Sequence, residues 1–224
     1  MIDEIARRLR VLYGIDAPEI PTRDPVDALV ATILAQSTSD VNSGRAMRSL
    51  RERYRDWNAV VHAPRDELAR TICHGGLANV KARRIQEALS ALFAAQSTVG
   101  RDGGGFDGMT GDQINTLLTA LPGVGPKTAA CVLLFSLGMP AVPVDTHVRR
   151  VGIRLGILPK GATFARAHAL LADLCAPTDA YVLHVGLVRH GRATCVARRP
   201  RCEACALNDI CADRLSSSGG SRGD

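Results

Sequence analysis

The feature that most constrains the fold is the spacing of apolar residues, which recur every three to four positions along most of the chain. Asp24-Pro25 opens a segment in which Val26, Leu29, Val30, Ile33 and Leu34 fall at i, i+3, i+4, i+7 and i+8. A carboxylate before the first turn and a proline at its first position are helix-start signals, and the stripe that follows has the helical period. Ile85, Leu89, Leu92 and Phe93 repeat the pattern after Lys81, as do Phe164, Ala167, Leu171 and Leu174. A first helix is expected from Asp3, with Ile5, Leu9 and Leu12 inward and Arg7, Arg8 and Arg10 mostly outward. No segment alternates as a strand would. Val142-Pro143-Val144 reads as an extended connector. Thr98 to Gly108, with its Gly103-Gly104-Gly105 triplet, reads as a flexible loop, and the Ser/Gly-rich stretch 214–224 as a disordered tail. The expected class is all-α, with many short helices and no internal repeat.

At 224 residues the chain can bury a core in one domain or two lobes. Aromatic residues are only 4%, so that core must be built from Leu, Val, Ile and Ala. The formal charge of +6 suits a polyanionic partner without proving one. Met1-Ile2-Asp3-Glu4 lacks the basic and then apolar start of a secretory leader, and no apolar run approaches the ~20 residues that span a bilayer. The expectation is a cytoplasmic protein without a membrane, where disulfides are rare. Cys73, Cys131 and Cys175 then read as small core residues.

Four cysteines crowd together near the end. Cys195, Cys202, Cys205 and Cys211 have the spacing C-x6-C-x2-C-x5-C. Clustered thiolates favour zinc or an iron–sulfur centre. Structural zinc usually takes two short-spaced pairs, whereas a single wrapping loop suits the four corners of a [4Fe–4S] cube; spacing alone leaves both open. Arg198, Arg199 and Arg201 lie in the first arm, either as a solvated charge run or as a pinned phosphate-binding surface.

Leu121-Pro122-Gly123-Val124-Gly125-Pro126-Lys127-Thr128-Ala129 is the second strong motif. A helix from Gln113 to Leu121 stops at Pro122, and Pro126 opens another through Leu137. Between them Gly123, Val124 and Gly125 permit a tight turn whose amides point outward, where a phosphate can accept them. Such a helix–hairpin–helix grips DNA backbone, although a plain helical hairpin has the same pattern. Lys127 is either a solvated lysine or a nucleophile forming a Schiff base with a sugar C1′. The second role needs a neutral amine, which partial burial and a helix N-terminus both favour. Asp145, in Val144-Asp145-Thr146-His147-Val148, is an excellent helix cap and also a carboxylate able to stabilise an oxocarbenium-like centre.

LPGVG-x-KTA followed by VDTHV-x-R, together with the cysteine loop Cys195 to Cys211, resembles the endonuclease III family of DNA glycosylases and AP lyases. The similarity runs from the first helix to Cys211. It implies a [4Fe–4S] cluster on Cys195, Cys202, Cys205 and Cys211, whose thiolates and core sum to about −2 and so reduce the apparent charge. It implies Lys127 as nucleophile and Asp145 as its acidic partner. It also implies two helical lobes with DNA across the groove between them: a six-helix barrel over 22–139, and a cluster lobe from 1–21 plus 140–213. Gln36, in Leu34-Ala35-Gln36-Ser37-Thr38, matches the side chain that fills the gap left by a flipped base. Leu77, in Gly76-Leu77-Ala78-Asn79-Val80-Lys81, matches the wedge. A helix-end glutamine and a buried leucine are the plain alternatives. Lys81, His147, Arg198, Arg199 and Arg201 join the expected DNA contacts. The implied activity is excision of oxidised pyrimidines from duplex DNA containing damaged bases or abasic sites, by a monomer. Pro126 replaces a usual basic residue and Ala78 a bulkier aromatic. The competing readings are a sister glycosylase of different base preference, against which Lys127 argues, and a non-catalytic DNA-binding protein on the same scaffold, against which Lys127 and Asp145 together argue.

Overall fold

The structure is a computed structural model that describes residues 1–15, 24–97 and 105–218. Among these residues there are twelve α-helices and no strand. They are α1 (Ile2–Tyr13), α2 (Pro25–Ala35), α3 (Asp40–Arg53), α4 (Trp57–His62), α5 (Arg65–Thr71), α6 (Ala78–Ser97), α7 (Gly111–Ala120), α8 (Pro126–Phe135), α9 (Thr146–Leu155), α10 (Phe164–Leu174), α11 (Ala180–Ala193) and α12 (Ala212–Ser218). The chain divides into two compact units, residues 21–138 and residues 1–20 with 139–224.

In the first unit α2 is the central helix. Asp24 caps it by accepting from the amides of Val26 and Asp27, and Pro25 opens its first turn. Val26, Ala28, Leu29, Val30, Ile33 and Leu34 are all buried, because α3, α6 and α8 pack around it. Each fully buried aliphatic side chain contributes roughly 1.5–3 kcal/mol, so this helix anchors the unit. Thr110 and Gln113 form a capping box at the start of α7. The chain then turns through Gly123 into α8.

In the second unit α11 packs on α1 and α9. Gly186 makes the first contact possible, since a Cβ there would lie 2.7 Å from the Leu9 Cβ. Arg8 on α1 donates to Glu4 and Asp209 and to the Ala206 carbonyl, fastening the N-terminal helix to the last segment of the chain. Hydrogen bonds from Arg7 and Arg8 hold the Glu4 carboxyl down at about 2.

Four expectations are corrected. Leu12 is exposed and Ala6 takes the inward position, because α1 ends at Tyr13 with Gly14 in the left-handed conformation. Phe164 and Leu174 lie at the two ends of α10 and are exposed, leaving Ala167 and Leu171 as its buried face. Cys73 is exposed rather than part of the core. Residues 212–218 are helical where disorder is expected from 214. Most of the Gly-rich loop (98–104), together with 219–224, lies outside the described residues. Among the described residues no helix is long and apolar enough to cross a membrane.

Candidate catalytic site and cysteine-lined cavity

Lys127 stands in the first turn of α8, behind the N-cap Gly125 and Pro126. Its side chain is half-buried, and among the described residues its amine makes no hydrogen bond or ion pair. It lines a cavity of about 940 Å³ with Asp27, Thr32, Asp40, Arg48 and Cys131. That is within the range of pockets that enclose small ligands, roughly 300–1,000 Å³. The wall is polar on the α3 side and apolar towards Cys131 and Phe135.

The turn before Lys127 is built around two glycines. Gly123 has φ +75°, and a Cβ there would meet the Arg84 Cγ at 3.1 Å. No hydrogen bond occupies the amides of Gly123 and Gly125 among the described residues. Val124 is different. Its amide donates to the Leu121 carbonyl at 3.1 Å and its side chain is buried, so the expectation that Val124 meets DNA is corrected.

Gln36 caps the end of α2, and its Oε1 accepts from the Arg84 Nη1 at 2.9 Å. The next residue, Ser37, has φ +53°. Leu77 has φ +49° and is 61% exposed, which excludes its being an ordinary core leucine. A left-handed φ at a non-glycine residue costs free energy and is concentrated in functional loops. Three non-glycine residues among those described adopt it: Ser37, Leu77 and Arg199. Each lies in a segment that the motifs assign to DNA.

Lys81 overturns its expectation. It is 1% exposed, and its ammonium donates to the carbonyls of Leu34 at 2.6 Å and Gly75 at 2.7 Å. A side chain buried in this way cannot reach a phosphate. Burial pushes its pKa below the ordinary lysine value.

Asp145 caps α9, with Oδ1 accepting from the Val148 amide at 2.7 Å. Among the described residues its second oxygen makes no hydrogen bond. His147 accepts at Nδ1 from Arg150, which also donates to the Gly191 and Cys195 carbonyls. Lys127 and Asp145 belong to different units.

Cys195, Cys202, Cys205 and Cys211 all line one cavity of about 110 Å³, with Arg154 and His190 in its wall. None of the seven cysteines forms a disulfide. Arg154 donates to the Cys195 sulfur at 3.3 Å and to the carbonyls of Val196 and Ala197, and the Leu207 amide donates to the Cys205 sulfur at 3.4 Å. Burial pushes the Cys205 thiol up, and the Leu207 amide opposes it. Four soft donors around one void, with N–H groups aimed at two of the sulfurs, fit an iron–sulfur cluster with four corners. Arg198, Arg199 and Arg201 are exposed on the same loop and make no ion pair among the described residues. Sequence reasoning missed Arg84, Arg154 and His190. Each meets its partners across tens of residues, and no local pattern marks such contacts.

Residues 30–177 match the HhH-GPD superfamily of base excision DNA repair proteins, and residues 195–211 match the iron-sulfur binding domain of endonuclease III. The chain is 35% identical over 209 residues to endonuclease III of Synechocystis sp., covering 93% of this chain and 90% of that one. The fold superposes with a TM-score of 0.78 on a trapped endonuclease III–DNA covalent intermediate and on a non-covalent endonuclease III–DNA complex, each at 28% identity and covering 97% of both chains. The chain therefore belongs to the endonuclease III family of base excision repair enzymes, DNA glycosylases with AP lyase activity that carry an iron–sulfur cluster.

Proposed function

We propose that this chain excises oxidised pyrimidines from duplex DNA and then opens the strand, with Lys127 as the nucleophile and Asp145 as its acidic partner. The observation that carries the reading is the half-buried, unpaired amine of Lys127 at a helix start, facing a cavity of nucleotide size. A neutral Lys127 amine attacks C1′, the C1′–N bond breaks, and the base leaves with the bonding pair and a proton. The amine loses its own proton and the sugar ring opens, leaving a Schiff base between Nζ and C1′. Loss of a proton from C2′ then expels the 3′ phosphate, and water releases the lysine. The Asp145 carboxylate stabilises positive charge at C1′ and relays protons through the oxygen that does not cap α9.

Gln36 fills the gap left by the extruded nucleotide and Leu77 holds the stack open, a reading supported by the exposure of Leu77 and the strained backbone beside both. The Gly123 and Gly125 amides, His147, Arg198, Arg199 and Arg201 bind phosphate. The four cavity cysteines hold the [4Fe–4S] cluster, which supplies fixed geometry to that loop. Nucleophile, carboxylate, cluster and DNA grip all occur in one chain, so a monomer is a complete enzyme. Cysteines outside disulfides suit a reducing cytoplasm, where DNA binding brings the chain to the nucleoid.

Borohydride reduction on a thymine-glycol or abasic duplex tests the chemistry. Wild type is trapped covalently, and Lys127→Gln is not, although it still binds duplex. Trapping that persists in Lys127→Gln would mean another amine is the nucleophile.

A further inference from the structure

Lys81 is a buried cation that forms no ion pair with a carboxylate among the described residues. Its two hydrogen bonds go to main-chain carbonyls 41 positions apart in the chain, those of Leu34 and Gly75. Leu34 lies two residues before Gln36, among the last carbonyls of α2, where the helix end is negative. Gly75 lies two residues before Leu77, at the end of a short 3-10 turn. One ammonium thus closes the roots of both loops read above as acting on the base stack. The space around it is tight: a Cβ on Gly75 would sit 3.3 Å from the Ala46 Cβ and 4.0 Å from the Lys81 Nζ. One turn further along the same face of α6, Arg84 bonds the Gln36 side chain and lies under Gly123 of the hairpin. The start of α6 therefore fastens three DNA-facing turns of one unit to a single rigid element.

We infer that Lys81 is a positioning residue for base extrusion: its ammonium clamps the Gln36 loop to the Leu77 loop, so that filling and wedging occur as one event. The inference rests on the proposed roles of Gln36 and Leu77. A buried amine that meets only carbonyls gives strength and direction without a competing salt bridge, and a hydrophobic side chain there leaves both acceptors unmet. Ser37 and Leu77, two of the three left-handed non-glycine residues among those described, lie just beyond the two clamped carbonyls. A strained backbone persists only where its surroundings over-determine it, and the clamp supplies that constraint.

The probe is a duplex carrying thymine glycol beside a 2-aminopurine, whose fluorescence rises when the neighbouring nucleotide leaves the stack. Lys81→Met should slow the rise about ten-fold, within the range for residues coupled through one network, while affinity for undamaged duplex is retained. In a Gln36→Ala, Leu77→Ala background the same substitution should cause no further loss. If Lys81→Met fails to fold, Lys81→Gln, whose amide is one bond shorter and cannot reach both carbonyls, takes its place in both backgrounds. Equal losses in undamaged binding and in the fluorescence rise would overturn the inference in favour of a scaffold role. If Gln36→Ala and Leu77→Ala slow extrusion but Lys81→Met does not, the insertion roles stand and the clamp falls. If those two alanine variants leave the rise unchanged, the insertion roles fall and the clamp falls with them.

Discussion

Asp145 shows how one carboxylate can hold a structural and a chemical role. Its Oδ1 satisfies the Val148 amide at the start of α9, a cap contributing about 1 kcal/mol. Asparagine caps as well but carries no charge. Asp145→Asn should keep the melting temperature within a few degrees and slow single-turnover excision by a hundred-fold or more, about the range of one lost electrostatic or proton-transfer group. Full activity in that variant would reduce Asp145 to a cap. Lys81 makes a second test at this scale, read from pH. Its folded pKa is depressed by burial, so above that value the unfolded chain holds a proton that the folded chain has lost. Stability of wild type relative to Lys81→Gln should therefore rise with pH from the folded pKa up to about 10.4, the unfolded value. Paired denaturant titrations from neutral pH to 10.5 measure this difference, and a flat or falling difference would show that burial does not disfavour the ammonium.

At the scale of elements, the cysteine loop combines a rigid frame with three exposed arginines. Arg154 holds its first arm through Cys195, Val196 and Ala197, and Arg199 sits in the left-handed region at φ +55°. Ordering a loop before binding reduces the entropy lost on contact. If Arg199 and Arg201 each meet a phosphate, the double substitution to alanine should flatten the slope of log K against log[salt] by roughly 1.8 on B-DNA, at about 0.9 per contact. An unchanged slope would take the loop away from the DNA. The hairpin between α7 and α8 was legible as a turn from its glycines, but the separate fates of its amides were not. Val124 and Gly123 look alike in a motif, and only the folded turn directs one amide to Leu121 and leaves the other open.

At the scale of the whole molecule, the segment 195–211 has little core of its own: Leu207 is its one buried apolar residue among those described. Its order must come from shared ligands and from Arg8 and Arg154, which reach it from α1 and α9. Purified protein should be yellow-brown with about four irons per chain. Cys202→Ser should lose iron and lower the melting temperature of the unit that contains α1, α9 and α11, read by calorimetry together with iron analysis. Stoichiometric zinc in protein purified without oxygen would refute the cluster assignment.

The sequence by itself determined the all-α class, several of the helices and the family. Helical period, caps such as Asp24 and Asp145, the Gly-Val-Gly turn before Lys127 and the four-cysteine spacing are local patterns, written in residues a few positions apart. Tertiary structure alone decided where individual side chains went. Lys81 sits in a motif that reads as DNA-facing, yet it points into the unit because two carbonyls accept its ammonium there. Leu77 has the composition of a core residue, yet it stands exposed because a left-handed turn lifts it out. The same holds for Leu12, Cys73 and Val124. Burial and hydrogen-bond partnership depend on which distant segments arrive at a position, and a one-dimensional pattern carries the period of an element but not the neighbours that its last turn will meet.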